Sequence, residues 1–489
     1  MTRPNAAPPF ALIAGRIISP GSKLALSAHL TGKSTTLIDE LSLPESLTED
    51  DLYRAMRWLG QRQERIQKSL ASRHLGEGSL VLYDLSSSYD EGRTCPLATY
   101  GHNRDKKKGK TQINYGLLTD RDGRPISIQV YPGNTSDPNT VADQLQRVRQ
   151  KFGIRKAIIV SDRGMLTSKQ LDLAAADPQL SDYGWISALR SSQINKLVQT
   201  QDLQPELFDQ RDLAEISSKD FPNERLVVCR NPTLARKRHH TRQDLLQATE
   251  EILKKIQLAT QREKNPYHGK DKIARRVERE GSRYHMLKHF KLTITETTFT
   301  HERDEQNITR EARLDGIYII RARNIGAEEM DSPQLVVTYK NLAKVESAFR
   351  RLKTTALLVR PIFHHESEMV KAHIFLCMLA YYIQWEMEQQ LAPLLFREED
   401  PTAAEAHRKS PVAPAQRSRS AKKKEESKRT ADGAHPVQSF RSLLENLGTL
   451  ARATFRPKIE GAETFMKYTQ ATALQQEAYH LLGLKPPEM

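Results

Sequence analysis

The chain has 489 residues, which is enough for two to four domains, and its 75 basic and 60 acidic side chains give a formal net charge of +15. That surplus favours a polyanionic partner, with nucleic acid the leading candidate, although ribosomal and membrane-surface proteins share it. The three cysteines are too few and too scattered for a disulfide framework or a zinc site, which indicates a reducing cytosol. We expect no signal peptide, and the longest apolar run, Ile374–Ile383, is too short to span a bilayer.

Residues 1–75 are expected to form a helical N-terminal domain. Thr48 followed by Asp51 predicts a helix N-cap, and apolar residues from Leu52 to Ile66 recur at a partly helical spacing, with basic residues on the other side. A small basic helical domain is able to bind DNA, but no clean helix-turn-helix pattern is legible. A DNA-binding role and a structural role both stay open for this domain.

The spacing of apolar residues then becomes strand-like. Strands are predicted at Ser79–Ser88, Gln112–Thr119 and Pro125–Tyr131, and Asp122-Gly123 is a strong signal for a tight turn between the last two. These three strands form an antiparallel meander.

Helices and short strands alternate after the meander. The predicted elements are a helix from Asp137-Pro138 to about Phe152, a buried strand at Lys156–Val160, a helix opened by the capping pair Thr167 and Gln170, and a strand at Tyr183–Leu189. Three antiparallel strands followed by alternating helix and strand define an α/β mixed sheet with helices on both faces. This is the order of the ribonuclease-H-like fold.

Composition divides the rest of the chain. We expect the first part of the ribonuclease-H-like domain at 76–190, an insertion domain at 191–330, the second part of the first domain at 331–395, a basic disordered linker at 396–436, and a helical tail at 437–489. The linker is inferred from low apolar content and abundant Pro, Ala, Ser and Lys.

The stretch Ser332–Ala356 is predicted to be one helix. Ser332 suits the N-cap, and Pro333 suits the first helical position, where no amide donor is needed. The face expected to be buried carries Glu346 and, seven residues later, Lys353, and each would cost free energy there without a partner. The alternative is a glutamate at the edge of the core and a lysine that reaches out to solvent.

Two aspartates are likewise candidates for a functional site, each with an ordinary structural alternative. Asp84 interrupts the first predicted strand, where it faces either solvent or a site, and Asp162 follows the fourth strand, where a turn-forming role is the alternative. In a ribonuclease-H-like sheet these strands are neighbours, so the two carboxylates would lie side by side, and a later helix could bring Glu346 to them. Three clustered carboxylates are stable together only with cations, and two Mg²⁺ or Mn²⁺ ions ~4 Å apart would serve phosphodiester chemistry.

Four motifs resemble those of the DDE transposases of bacterial insertion sequences, in the insertion-sequence-four-like superfamily. They are YDLSSSYDEG around Asp84, VYPGNTSD at Val130–Asp137, VSDRGM around Asp162, and YKNLAKVESAFRRLKT around Glu346. The motifs fall in the family's order, and the resemblance covers most of residues 18–390. It implies a transposase that binds the inverted-repeat ends of its element, cuts the DNA and joins the 3′ ends to target DNA.

The resemblance also implies roles for single residues. Asp84, Asp162 and Glu346 would be the catalytic residues and would hold two Mg²⁺ or Mn²⁺ ions per active site. Tyr339 and Lys353 would contact phosphates of the transposon end near the scissile bond.

One position departs from the family pattern. Leu342 stands where arginine is usual, which puts one contact with the DNA backbone in doubt. Lys340, Arg350 or Arg351 would be the substitutes, and Arg350 is our choice. The segment 191–330 would be the insertion domain, which helps to clamp DNA.

The resemblance implies double-stranded DNA as the partner, a homodimer or multimer on that DNA, no membrane, and a cytoplasmic bacterial protein that joins the nucleoid when bound. Two alternatives stay open. One is a ribonuclease-H-like nuclease without strand transfer, and the other is a decayed copy that only binds DNA.

Further basic features are ambiguous. The Lys-rich loop Tyr100–Lys110 would be either solvated or in contact with phosphate, and the same two interpretations hold for Ala235–Arg242. The pairs His239-His240 and His364-His365 lack further spaced partners, so no metal site is predicted there.

Overall fold

The structure is a computed structural model that describes residues 7–32, 35–178, 180–199, 208–209, 212–354, 356–406, 408, 410–459 and 461–487. The chain divides into two compact units. The first comprises Met1–Ala188, Arg321–Lys409 and Pro414–Met489, and the second comprises Leu189–Ile320 and Ser410–Ala413. No helix among the described residues has both the length and the apolar character needed to cross a bilayer.

The first unit begins with five helices, as predicted for this region. They are α1 (Ala7–Ile18), α2 (Lys23–Thr31), α3 (Leu37–Glu40), α4 (Glu49–Gly60) and α5 (Gln63–His74). The predicted cap is present at the start of α4, where the Thr48 amide donates to Asp51 Oδ2 over 2.8 Å and the Asp51 amide donates to the Thr48 hydroxyl.

A mixed sheet follows the helices. Its elements are β1 (Ser79–Tyr89), β2 (Gln112–Asp120), β3 (Pro125–Pro132), α6 (Asp137–Gln146), β4 (Ala157–Ser161), α7 (Ser168–Ala176) and β5 (Gly184–Ala188). The strand order within this unit is β3-β2-β1-β4-β5, with β2 antiparallel to its neighbours and β4 parallel to β1 and β5. This order is that of the ribonuclease-H-like fold, so the predicted fold class is confirmed.

One face of this sheet packs on α6, α7 and α5. Tyr83 and Leu85 of β1 join a core with Ile159 and Trp185 on that face, and all four are at most 3% exposed. Because side chains alternate along a strand, Asp84 lies on the opposite face, between two residues committed to the core.

The second unit holds most of the segment 191–330 predicted as an insertion, whereas residues 321–330 belong to the first unit. The elements of the second unit are α8 (Ser191–Gln199), β6 (Leu213–Ile216), β7 (Glu224–Arg230), α9 (Pro232–Thr260), α10 (Lys270–Arg276), β8 (Phe290–Ile294), β9 (Phe299–Arg303), α11 (Glu305–Ala312) and the start of β10 (Ile317–Arg323). β6 pairs with β7 and β8 with β9, both antiparallel. Separate apolar clusters, one around Val228 and one around Leu253, support this unit.

The first unit is completed by the rest of the chain. Its elements are α12 (Ser332–Lys340), α13 (Leu342–Lys353), α14 (Ser367–Gln390), α15 (Pro401–Ala406), α16 (Arg419–Ser427), α17 (Phe440–Leu447), β11 (Arg452–Phe455), β12 (Phe465–Tyr468) and α18 (Ala473–Leu481). β11 and β12 form an antiparallel hairpin, so the tail predicted to be helical contains two strands between its helices α17 and α18.

The single helix predicted at Ser332–Ala356 is two helices, α12 and α13, that meet at Asn341. Asp331, not Ser332, is the N-cap, and it forms a capping box with Gln334. The apolar spacing continues through the break, which is why the sequence pattern did not show it. The expected burial of Glu346 is also wrong, because the buried face of α13 is formed by neighbouring apolar residues and Glu346 is exposed.

The predicted disordered linker contains two helices, α15 and α16. The Ser418 hydroxyl caps α16 by accepting the Ala421 amide. Lys424 is 3% exposed, and its ammonium group donates to the Ala392 carbonyl over 3.0 Å and pairs with Glu399. Buried polar contacts therefore order a segment whose low apolar content predicted disorder.

Candidate active site

The sheet register places Asp84 next to Asp162. The parallel pairing of β1 with β4 ends where Tyr83 lies opposite Ser161, and the next residue along each strand is one of the two aspartates. The carboxyl ends of parallel strands form the edge where sites are commonly built. The structure therefore brings together two of the three predicted carboxylates through backbone pairing alone.

Asp84 is the more enclosed of the two. Its Oδ1 accepts a hydrogen bond from the Leu85 amide over 2.8 Å. The pKa of Asp84 is raised to about 7, chiefly by burial and also by the charges of Asp162 and Glu346, while the Leu85 amide and Arg104 oppose the shift. Asp162 and Glu346 thus both act on Asp84 electrostatically, as expected for groups that lie near one another.

Asp162 is exposed and is held by two donors. Its Oδ1 accepts the Arg163 amide over 2.7 Å and the Tyr339 hydroxyl over 3.1 Å. Burial and the charge of Asp162 raise the pKa of Tyr339, so the phenol stays protonated and donates. The predicted DNA-contact residue Tyr339 therefore touches a carboxylate of the site in this conformation.

Glu346 reaches the site from α13, which packs on β1 and β2. Val345 and Leu352 are fully buried beneath the helix, and the Phe349 ring contacts Tyr115 of β2 edge-on with centroids 5.8 Å apart. Within the described residues, no three His, Cys, Asp or Glu side chains form a group that could hold a metal ion. The three carboxylates are neighbours but do not converge on one point.

Lys353 lies in a buried ion cluster. Its ammonium group donates to Asp105 Oδ1 over 3.1 Å, and Arg360 binds the same carboxylate, whose side chain is 2% exposed. Burial lowers the pKa of Lys353, and Asp105 opposes that shift. The predicted phosphate contact of Lys353 would require it to exchange this partner for DNA.

Sequence reasoning missed Arg104 and Asp105. Both belong to the Lys-rich loop Tyr100–Lys110, and Arg104 donates to Asp137 at the start of α6 over 2.6 Å. The loop is therefore anchored beside the site by two adjacent residues. The one available signal was Asp105 itself, a single acid in a strongly basic run.

The basic residues predicted near Glu346 differ in whether a carboxylate already pairs with them. Leu342 is 8% exposed, so the position where arginine is usual belongs to the core here. Arg351 pairs with Glu388, whereas Arg350 is exposed on α13. Arg350 is thus a basic side chain near Glu346 that is accessible to DNA.

The basic helix segment Ala235–Arg242 lies in the second unit. Arg242 is 7% exposed and pairs with Asp315. Lys237 and Arg238 line a cavity of about 900 Å³ in that unit. His239 and His240 touch each other as rings and join no group that could hold a metal ion among the described residues.

The fold and the carboxylates define a ribonuclease-H-like protein with an acidic site at the carboxyl ends of its central strands. The model of the family described as "Transposase DDE domain" matches residues 91–383, and the chain therefore belongs to the DDE transposase family. The match includes Asp162 and Glu346 and begins beyond Asp84. The place of Asp84 in the site consequently depends on the sheet register.

Two solved structures are similar to the chain at low levels. The piggyBac transposase synaptic complex with hairpin DNA shows 11% identity and a TM-score of 0.36, with 78% of this chain and 66% of that chain covered. The Mos1 transposase paired-end complex with the left transposon end shows 13% identity and a TM-score of 0.12, with 33% of this chain and 55% of that chain covered. No curated protein matches the chain.

Proposed function

We propose that this protein is a DNA transposase that binds the inverted-repeat ends of its element, cleaves the DNA and joins the 3′ ends to target DNA. The observation that carries the proposal is the β1–β4 register, which sets Asp84 beside Asp162, with Glu346 acting on Asp84 from α13. Membership of the DDE transposase family supports DNA cleavage and transposition as the chemistry of this acidic site.

The donor chemistry suits divalent metal ions. Carboxylate oxygens are the ligands that Mg²⁺ and Mn²⁺ prefer, and the raised pKa of Asp84 reflects burial and negative charge that a cation would offset. Asp84, Asp162 and Glu346 would hold two ions after a closing movement of Glu346. When bound, the ions would activate a water or a 3′-hydroxyl and stabilise the leaving oxygen.

The chain's own residues would orient the site and the DNA. Tyr339 orients Asp162 through its hydroxyl, and Lys353 and Arg350 lie on the helix that carries Glu346. Arg350 would contact the DNA backbone directly, and Tyr339 and Lys353 would reach phosphates by releasing their carboxylate partners. Such contacts provide affinity that falls steeply with salt.

We further propose that two DNA ends are held by a homodimer or larger multimer, and that the protein acts in the bacterial cytoplasm on nucleoid DNA. The net charge of +15 supports a polyanionic partner.

A plasmid assay tests the proposal. The full chain is incubated with Mg²⁺ and a supercoiled plasmid that carries the genomic segments flanking its reading frame, and cleaved and joined products are separated on gels. The wild-type protein should cleave at the repeat ends and join them to target DNA. Asp84→Asn, Asp162→Asn and Glu346→Gln should each abolish cleavage while retaining end binding.

Asp50→Asn is the matched control, because Asp50 is an exposed carboxylate of α4, and this variant should retain activity. If the protein cleaves the plasmid but fails to join even pre-cut ends to target DNA, it is a nuclease and not a transposase. End binding without cleavage in Mg²⁺ or Mn²⁺ would indicate a decayed copy. Full activity of Asp84→Asn, Asp162→Asn or Glu346→Gln would show that the changed residue is not catalytic.

A further inference from the structure

Two cations are buried next to each other in the N-terminal helices. Arg16 of α1 is 6% exposed and Lys23 of α2 is 5% exposed. Among the described residues, no carboxylate forms an ion pair with either of them, and the Lys23 ammonium group has only the His364 ring nitrogen, 3.3 Å away, as a hydrogen-bond partner. Burial and the charge of Arg16 lower the pKa of Lys23 to about 8.

The surrounding titratable groups do not balance this charge. Burial lowers the pKa of His364 to about 3 and that of His373 well below its usual range, so both imidazoles are neutral at physiological pH. Burial also raises the pKa of the Cys377 thiol. Glu49 acts on Lys23 only from beyond ion-pair distance. Burying an ion without a counter-charge is costly, so two adjacent cations require an explanation.

A small cavity lies at the same place. Its volume is about 10 Å³, and Arg16 and Lys23 line it together with Ser19, Gly21 and Ser22. This volume corresponds to about one water-sized probe sphere. Arg16 and Lys23 therefore both line a space large enough for one additional small particle.

The cavity also meets the positive end of a helix. The nine-residue helix α2 begins here, and its N-cap Ser22 satisfies only the Ala25 amide through its side chain. The amides of Lys23 and Leu24 have no acceptor inside the helix. Free amides and the helix dipole at this end favour a negative charge.

We propose that Arg16, Lys23 and the first turn of α2 form a binding site for one chloride ion. The two buried cations and the helix N-terminus favour a negative charge at this point, and the cavity provides the space for it. A cavity of this small volume suits a monatomic anion better than a tetrahedral one. This site lies among the N-terminal helices and is independent of the proposed transposase activity.

The first test measures the unfolding temperature of the full chain in sodium chloride and in sodium gluconate at equal ionic strength. A ligand that binds only the folded state stabilises it in proportion to the logarithm of its excess concentration. The unfolding temperature of the wild type should rise by a few degrees more with chloride than with gluconate, and this difference should disappear in Arg16→Gln. Arg65→Gln, which alters an exposed cation of α5, should retain it and cancels general salt effects.

The second test does not depend on a variant that folds. Crystals of the wild-type chain grown in sodium bromide should show an anomalous peak beside Arg16 and Lys23. A water at that position, with equal unfolding temperatures in both salts, would overturn the proposal. A chloride effect that persists unchanged in Arg16→Gln would also overturn it, because the ion would then bind elsewhere.

Discussion

The hydroxyl of Tyr339 donates a hydrogen bond to Oδ1 of Asp162 over 3.1 Å and thereby joins α12 to the end of β4. α12 also packs on β4 and β5. The carboxylate is consequently oriented by a side chain 177 residues away in the sequence, as well as by its own turn. This contact makes Tyr339 a positioning residue of the site in the absence of DNA.

Tyr339→Phe should reduce DNA cleavage about fivefold, since an oriented hydrogen bond of this kind is worth ~1 kcal/mol. The affinity for the repeat ends, measured by gel shift, should change by less than about twofold if Tyr339 acts by orienting Asp162. Tyr100→Phe, at a 71% exposed tyrosine, is the control. A large loss of affinity with normal cleavage at saturation would instead assign Tyr339 to a phosphate.

Asp105→Asn should destabilise the protein by about 2 kcal/mol, because Lys353 and Arg360 would lose their shared counter-charge, partly offset by solvent around Arg360. Urea unfolding measures the change. Asp122→Asn, which removes an exposed carboxylate 3.6 Å from Lys344, should cost less than about 0.5 kcal/mol. Equal effects of the two changes would contradict the buried ion cluster.

Leu342→Arg would restore the residue usual in the family, yet it should destabilise the protein by about 2 kcal/mol, because Leu342 is buried at the start of α13. The affinity for DNA ends should not increase. Leu342→Met conserves volume and should cost less than about 1.5 kcal/mol. Higher affinity in the arginine variant would show that this side chain can turn to the DNA.

Addition of Mg²⁺ or Mn²⁺ should raise the unfolding temperature of the wild type, because a bound cation relieves the charge that helps to raise the pKa of Asp84. Chelator should reverse the effect. The shift should be much smaller in Asp84→Asn and unchanged in Asp50→Asn. An identical shift in Asp84→Asn would place the metal elsewhere in the protein.

Lys23 should make the stability pH-dependent in low chloride. Its pKa is lowered from 10.5 to about 8, so between these values the unfolded chain binds more protons and stability rises with pH. The free energy of unfolding should increase by ~1 kcal/mol per pH unit across this window relative to Lys23→Met. Arg16, Glu49, Tyr53, His364, His373 and Cys377 surround Lys23. Burial raises the pKa of Cys377 and that of Tyr53, and because Lys23→Met retains both groups, the difference in slope between the two proteins isolates the contribution of Lys23.

A parallel slope for the wild type and Lys23→Met would contradict the shifted pKa. Chloride should flatten the wild-type slope, since an anion beside Lys23 favours its charged form.

The sequence predicted the sheet and the Asp84–Asp162 pair because strand periodicity and the β1–β4 adjacency depend on local pattern and a known strand order. It could not predict the anchored loop. Arg104 binds a partner 33 residues away, and Asp105 binds one 248 residues away, and neither separation leaves a spacing signal. The break at Asn341 was hidden for a related reason, because the apolar repeat is the same on both sides of it.

The two anchors of the Lys-rich loop are consecutive, whereas residues 106–110 are exposed. Trypsin cutting after Lys106, Lys107 or Lys108 would leave Arg104 and Asp105 on the N-terminal fragment. The two pieces would remain associated through the β1–β2 pairing. The same five positions would therefore accept an inserted epitope or a fluorophore without disturbing the carboxylates.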